Sequence, residues 1–241
     1  MANSEASFRD RQGKSQTLQD FIEGFTPVFT PADASLNQAN YQLSVNGADA
    51  ANTSVETLAS NYTTSSTQRV ALVKTIRDRT TQALAYIKSN KAWATNYKAV
   101  KAAADKFRNM KPPTETAPPT GDGGTPPPAE EKKRNQGQQA FVELEAHFRT
   151  FVTAVLSCGG YAPPSTEISA GTLSGFLSQF RGLNDFICTL ATQLKTAREL
   201  RFRLYFAPSG LAEKFQSVKA AVKGQYGQSS TQFDSVKGLK W

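Results

Sequence analysis

The stretch Leu173–Leu204, LSGFLSQFRGLNDFICTLATQLKTARELRFRL, decides the fold. Leu173, Phe180, Ile187 and Leu194 recur every seven residues. Phe176, Leu183, Leu190, Ala197 and Leu204 form a companion series three or four positions away. Steps of three and four place apolar side chains along one stripe of an α-helix, so the stretch predicts a helix of roughly 35 residues whose seam packs on other helices. Pro208 lacks the N–H that a continuing helix needs and is expected to end it, with Ser209-Gly210 as the turn.

The same pattern extends to both sides. Downstream, a helix resumes around Leu211 with Phe215, Val218 and Val222 on one face. Upstream, Phe141, Leu144, Phe148, Phe151 and Val155 mark an amphipathic helix ending before Gly159-Gly160, and Pro163-Pro164 precede the long helix. Short connections between such helices predict an antiparallel bundle.

The first half of the chain is patterned alike. Leu18, Phe21, Ile22 and Phe25 make a short amphipathic opening that ends at Pro27, and Pro31 precedes a segment with Leu36, Tyr41 and Leu43. After an expected break at Asn46-Gly47 comes a long helix carrying Val55, Leu58, Tyr62, Val70, Val73, Ile76, Ala83 and Ile87. Its Thr63–Gln68 stretch is nearly bare of apolar groups; threonine favours strand, but the flanking period favours helix.

Between the halves, residues 112–135 hold seven of the twelve prolines and no aromatic or branched aliphatic side chain. Proline fixes φ and removes donors, so this composition predicts a solvated linker. The expectation is an all-α fold of two tandem antiparallel helical bundles, 1–111 and 139–241, joined by a Pro/Gly-rich linker at 112–138. The tetrapeptide Val-Lys-Ala-Ala occurs at Val100 and again at Val218, each time three residues after an aromatic, Tyr97 or Phe215. Thr67-Gln68 aligns with Thr192-Gln193 at a spacing of 125 and Tyr97 with Phe215 at 118, spacings that differ by one heptad. A heptad indel keeps a helical seam in register, so the halves read as an internal repeat with Val100 and Val218 as equivalent core residues.

Composition excludes several classes. No run approaches about 18 consecutive apolar residues, so membrane insertion is not expected. The opening MANSEASFRDRQGKSQ has no apolar segment of the kind a secretory signal needs, which points to a cytoplasmic protein whose Asn52-Thr-Ser and Asn61-Tyr-Thr sequons go unmodified. Cys158 and Cys188 are too few for a disulfide framework and read as buried thiols.

Catalytic signatures are sparse. His147 is the only histidine, and Glu143 precedes it by four residues where a di-iron helix needs three, so it reads as a boundary residue of the Phe148 face. Gly121-Asp-Gly-Gly-Thr lacks the lysine of a phosphate loop and sits between proline runs. Glu143 and Glu145 point to different helical faces. No nucleophile elbow is present. No catalytic, cofactor or metal residue is assigned, and no cofactor is expected.

The net charge of +8 permits attraction to anions. Residues 1–111 carry 14 basic and 9 acidic side chains and residues 139–241 carry 11 and 7, so the excess is shared rather than held in one tail. Lys195, Arg198 and Arg201 stand at successive three-residue steps, with Lys74 and Arg77 in comparable places. They are the candidate anion-binding set. The competing reading is a solvated face laced by Lys195–Glu199, Glu199–Arg203 and Lys74–Asp78 pairs, each worth a few tenths of a kcal/mol. Any nucleic-acid contact is expected to be non-specific, because no reading element accompanies the charge.

The C-terminal order Arg198, Arg201, Leu204-Tyr205, Gly210-Leu211, Val218-Lys219, Tyr226-Gly-Gln-Ser-Ser-Thr-Gln-Phe233 and Val236-Lys-Gly-Leu-Lys-Trp241 resembles the end of a set of small, uncharacterised helical proteins of Bacteroidota. The resemblance covers roughly the last 80 residues well and the first half poorly. It implies a helical fold and a bacterial origin and brings no activity. Read without it, Ser229 or Ser230 caps a short last helix, and Phe233, Val236, Leu239 and Trp241 seal one end of a bundle. The reading that results is a non-enzymatic structural or interaction protein that forms homo-oligomers or filaments. The alternative is a binder of polyanions, nucleic acid or an anionic surface, through Lys195, Arg198 and Arg201.

Overall fold

The computed structural model describes residues 5–110 and 128–241, which are helical with no strand among them. The helices are α1 (Glu5–Glu23), α2 (Gln38–Ser89), α3 (Ala94–Asn109), α4 (Pro128–Leu156), α5 (Ala170–Phe206), α6 (Leu211–Tyr226) and α7 (Thr231–Lys237). Single 3-10 turns at Ala34–Leu36, Lys91–Trp93 and Thr166–Ile168 lead into α2, α3 and α5. No described helix is long and apolar enough to cross a membrane.

The predicted seam of α5 is buried where it was strongest: Leu173, Phe180, Ile187 and Leu194 are fully enclosed. The companion series is less enclosed, with Phe176, Leu183 and Ala197 half-buried, Leu190 buried and Leu204 39% exposed, and Asn184, Arg198, Arg201 and Tyr205 are enclosed beside the seam. A straight helix turns at 3.6 rather than 3.5 residues, so a stripe followed far enough along α5 migrates around its surface. Pro208 ends the helix, as expected.

Two boundaries differ from the sequence reading, while the Thr63–Gln68 stretch is helical as its flanking period predicts. Helix α2 runs unbroken through Asn46-Gly47, because Tyr41, Val45, Ala48 and Val55 form one buried face across it. Burying such side chains contributes about 1.5–3 kcal/mol each, which outweighs the roughly 1 kcal/mol that a mid-helix glycine costs. The polar Thr63–Gln68 stretch is helical too, with Ser65 and Ser66 buried and Thr67 Oγ1 donating to Thr63 O at 3.0 Å. Helix α4 begins at Pro128, inside the stretch read as linker. Proline is tolerated in a first helical turn, whose N–H groups lack partners anyway, and good helix formers follow it. The rest of the expected linker, 112–127, with its Gly121-Asp-Gly-Gly-Thr segment, lies outside the described residues.

The described residues gather into two compact units, and these are not the two halves of the chain. One takes residues 5–59 and 193–241; the other takes 60–110 and 128–192. Helix length gives the reason. At 1.5 Å per residue the 52-residue α2 is about 78 Å long, whereas α1 and α3 are about 28 and 24 Å, too short to cover its apolar stripe. Helices of the other half cover the remainder.

In the first unit α1, the opening of α2, the end of α5, α6 and α7 enclose Phe8, Leu18, Tyr41, Tyr205, Phe215 and Val218 among others. Phe8 and Tyr205 meet edge to face, their centroids 4.9 Å apart at 88°. The Tyr205 hydroxyl donates to Phe8 O at 3.1 Å and accepts from Asn52 Nδ2 at 2.9 Å. After the cis Thr26–Pro27 peptide, residues 27–30 lie along the end of α6: the Tyr226 hydroxyl donates to Pro27 O, and Thr30 N donates to Gln225 Oε1. Ser230 caps α7, its Oγ accepting from Phe233 N, while Val236 is buried and Trp241 packs on Phe215 at 5.1 Å. Lys219 Nζ donates to Lys237 O and Leu239 O at the end of that helix, and burial lowers its pKa.

In the second unit the remainder of α2, α3, α4 and the opening of α5 enclose Ile76, Val100, Phe107, Phe148, Phe151 and Phe180 among others. Val100 and Val218 are both fully buried, each in its own unit. Trp93 Nε1 donates to Gly159 O at 2.9 Å, and the Tyr161 hydroxyl donates to Ile168 O at 2.7 Å. Both cysteines are free; Cys158 is buried, but Cys188 is exposed on α5, against the expectation for it. Its position is next to Ile187, which takes the inward place in that turn.

Candidate functional site

The candidate anion-binding residues do not form a surface stripe. Lys195 is exposed, but Arg198 is 5% and Arg201 1% exposed. The Arg201 guanidinium lies 4.0 Å from the centroid of the Phe8 ring, a cation–π contact in an apolar setting. Its charge also reaches Glu56, whose carboxyl is held below the usual carboxylate range mainly by its hydrogen bond from Arg9, with Arg201 acting in the same direction. Arg9 joins Glu56 at 2.6 Å and Asp49 at 2.5 Å, tying α1 to α2. Of the two comparable residues in the first half, Lys74 is exposed, and Arg77 is half-buried with its guanidinium donating to Met110 O.

The second unit holds a counterpart of the Arg201 site. Arg69 is 1% exposed and lies 3.6 Å from the centroid of the Phe141 ring. Its Nη1 donates to Asn184 Oδ1 at 3.2 Å, Asn184 Nδ2 donates to Glu145 Oε2 at 3.1 Å, and Arg149 Nη2 donates to Glu145 Oε1 at 2.6 Å. Glu145 is thus buried in a hydrogen-bonded chain while Glu143 faces out, as the two-residue spacing predicts. Sequence reasoning missed the burial of Arg69, Arg198 and Arg201. A signal was available, since a basic residue in register with a buried seam can lay its planar cation on an aromatic ring. His147 is half-buried beside Phe148. Among the described residues no group of three or more His, Cys, Asp or Glu side chains stands together.

The first unit also carries an open cleft of about 570 Å³ between the start of α2 and the α5–α6 corner. The corner is tightly specified. Pro208 ends α5, Ser209 sits at φ 61°, and a side chain on Gly210 would place its Cβ 2.7 Å from Ala207 O and 2.9 Å from Tyr205 O. Glu213 closes the turn by accepting from Ser209 N at 2.7 Å. Leu43 of α2 and Leu200 and Leu204 of α5 line the cleft together with Arg203 of α5 and Lys214 of α6, and no carboxylate is among its lining residues. Leu43 is 68% and Leu200 56% exposed. Lys214 Nζ donates to Ser44 Oγ at 2.7 Å, which fixes the ammonium group at the edge of α2. Chemically, the cleft offers an apolar strip beside two cations.

Compared with protein-family models, curated proteins and solved structures, the chain matches none of them.

Proposed function

We propose that the protein is a non-enzymatic structural protein built from two helical repeats that complete one another, and that copies of it associate by exchanging halves. The observation that carries this reading is the composition of the units: each takes helices from both halves of the chain. Phe8 of the first half needs Tyr205 of the second, and Trp93 of the first needs Gly159 of the second. A half alone would leave these surfaces in water, and a second chain can supply the missing half as well as the same chain can.

Local geometry supports the repeat and moves its alignment. Asn37 Oδ1 accepts from Asn40 N and Asn40 Nδ2 reaches back to Ala34 O. At the start of α5, Ser169 Oγ accepts from Thr172 N and Thr172 Oγ1 reaches back to Thr166 O. At that one spacing Asn52 pairs with Asn184 and Arg69 with Arg201, all four buried. Thr67-Gln68 then corresponds to Glu199-Leu200, one heptad beyond the match that the letters suggest. The buried polar groups on both sides serve packing: arginine on phenylalanine, asparagine on its hydrogen-bonding neighbour.

Refolding at high protein concentration, followed by light scattering on the separated species, tests the exchange. Dimers and larger species with the helix content of the monomer are expected, in a proportion that rises with concentration. Mixed populations carrying donor and acceptor dyes should show energy transfer only after joint refolding. A monomer at every concentration would reject the reading.

A further inference from the structure

We propose that the cleft of the first unit is a binding site for a single-chain amphiphilic anion, with the acyl chain along Leu43, Leu200 and Leu204 and the head group between Arg203 and Lys214. The volume, about 570 Å³, lies within the range of small-molecule sites. A purely structural surface has no need of Leu43 and Leu200 so far into solvent, 68% and 56% exposed and in one cleft with Leu204. Singly exposed leucines are ordinary; several lining one cleft mark a binding surface.

The two cations fix the sign of the ligand. Arg203 and Lys214 line the cleft with no carboxylate among the lining residues. Two acids beside the cleft are turned to backbone amides: Asp33 accepts from Ser35 N at 2.8 Å and Glu213 from Ser209 N at 2.7 Å. Asp33 lies close enough to Lys214 to feel its charge, so Arg203 is the cation with more to gain from an incoming anion. A guanidinium receives a carboxylate or a phosphate through paired N–H donors.

The repeat alignment adds a comparison. The positions matching Leu43, Leu200 and Arg203 carry Gly175, Gln68 and Ala71, and those matching Ser44 and Leu204 carry Phe176, packed against the core, and Leu72, 8% exposed. The second unit therefore fills inward what the first leaves open, and it has neither the exposed leucines nor the cation. The comparison rests on the proposed repeat; the cleft itself does not.

Isothermal titration of the full chain with decanoate, decyl phosphate and decanol tests the site. Decanoate or decyl phosphate should bind saturably at one site, the tighter of the two identifying the head group, and decanol at least tenfold more weakly. Leu200→Gln and Arg203→Ala, which install the matching residues of the second unit at exposed positions, should each weaken the anion at least tenfold with helix content unchanged. Lys195→Ala, on the same helix but outside the cleft, should bind as the parent does. Absence of saturable binding by both anions, decanol binding as tightly as they do, or retention of parent affinity by Leu200→Gln and Arg203→Ala would overturn the proposal.

Discussion

Replacing Tyr205 by Phe removes one oxygen from the interior of the first unit and leaves the ring in place. That hydroxyl makes two hydrogen bonds, to Phe8 O at 3.1 Å and from Asn52 Nδ2 at 2.9 Å, and both Tyr205 and Asn52 are fully buried. Each bond contributes about 1 kcal/mol net, and the stranded Asn52 amide adds a desolvation penalty, giving an expected loss of about 2–3 kcal/mol. With a urea dependence of about 2 kcal/mol per molar, the midpoint should fall by about 1–1.5 M. The chain has two tryptophans, Trp93 in the second unit and Trp241 in the first, and the Trp241 ring stands 6.2 Å from that of Tyr205. A Trp93→Phe background therefore reports the first unit alone by fluorescence. Adding Asn52→Leu to Tyr205→Phe removes the stranded amide, so the double variant should be at least about 1 kcal/mol more stable than the two single losses together predict. A midpoint unmoved by Tyr205→Phe, or strict additivity in the double variant, would refute the reasoning.

Three further outcomes are expected. Gly210→Ala should lower the thermal midpoint, at a cost of about 1–3 kcal/mol, because its Cβ meets two backbone carbonyls; Gly182→Ala, with nothing within 4 Å of the added carbon, should instead stabilise by about 0.5–1 kcal/mol. Tyr161 is pushed up to about 12 by burial first and by Tyr86 and Cys158 after it. The folded state therefore keeps a proton that the unfolded state releases, and the corresponding stability is complete below about pH 10 and disappears between about pH 10 and 12. Urea midpoints across that range should fall less steeply for Tyr161→Phe. In a thiol-reagent assay on native protein, Cys188 should react at once and Cys158, buried with its pKa raised, only after unfolding; two fast thiols would contradict the placement.

Much of the architecture is written in the letters. Leu173, Phe180, Ile187 and Leu194 specify α5, Pro208 specifies its end, and Phe141, Leu144, Phe148, Phe151 and Val155 are buried as their spacing requires. Periodicity says which face of a helix needs a partner, but not which helix provides it. For that reason the pairing of α1 and the start of α2 with the end of α5 and α6 was not visible. Gly47 and Pro128 carried the usual marks of interruption, yet each is overridden by its surroundings, one by a buried face and the other by its place in a first turn. The candidate site was hidden for a similar reason. Arg198 and Arg201 read as solvated cations because charge is normally outside, and only the location of Phe8 shows where Arg201 goes. The cleft is formed by Leu43 and Leu200, residues from opposite ends of the chain whose exposure no local pattern records.

The way the units draw on distant segments also governs the order in which the protein can be made. Residues 60–110 and 128–192 are all made before residues 193–241 are translated, so their core can close while synthesis continues. Residues 5–59 have no such early option, since the segment that completes their unit begins at residue 193, within α5. At about 5–20 residues per second the ribosome needs roughly 7–27 seconds to travel from one to the other. During that interval Phe8, Leu18 and Tyr41 face water or a chaperone, and a segment made early is the last to find shelter.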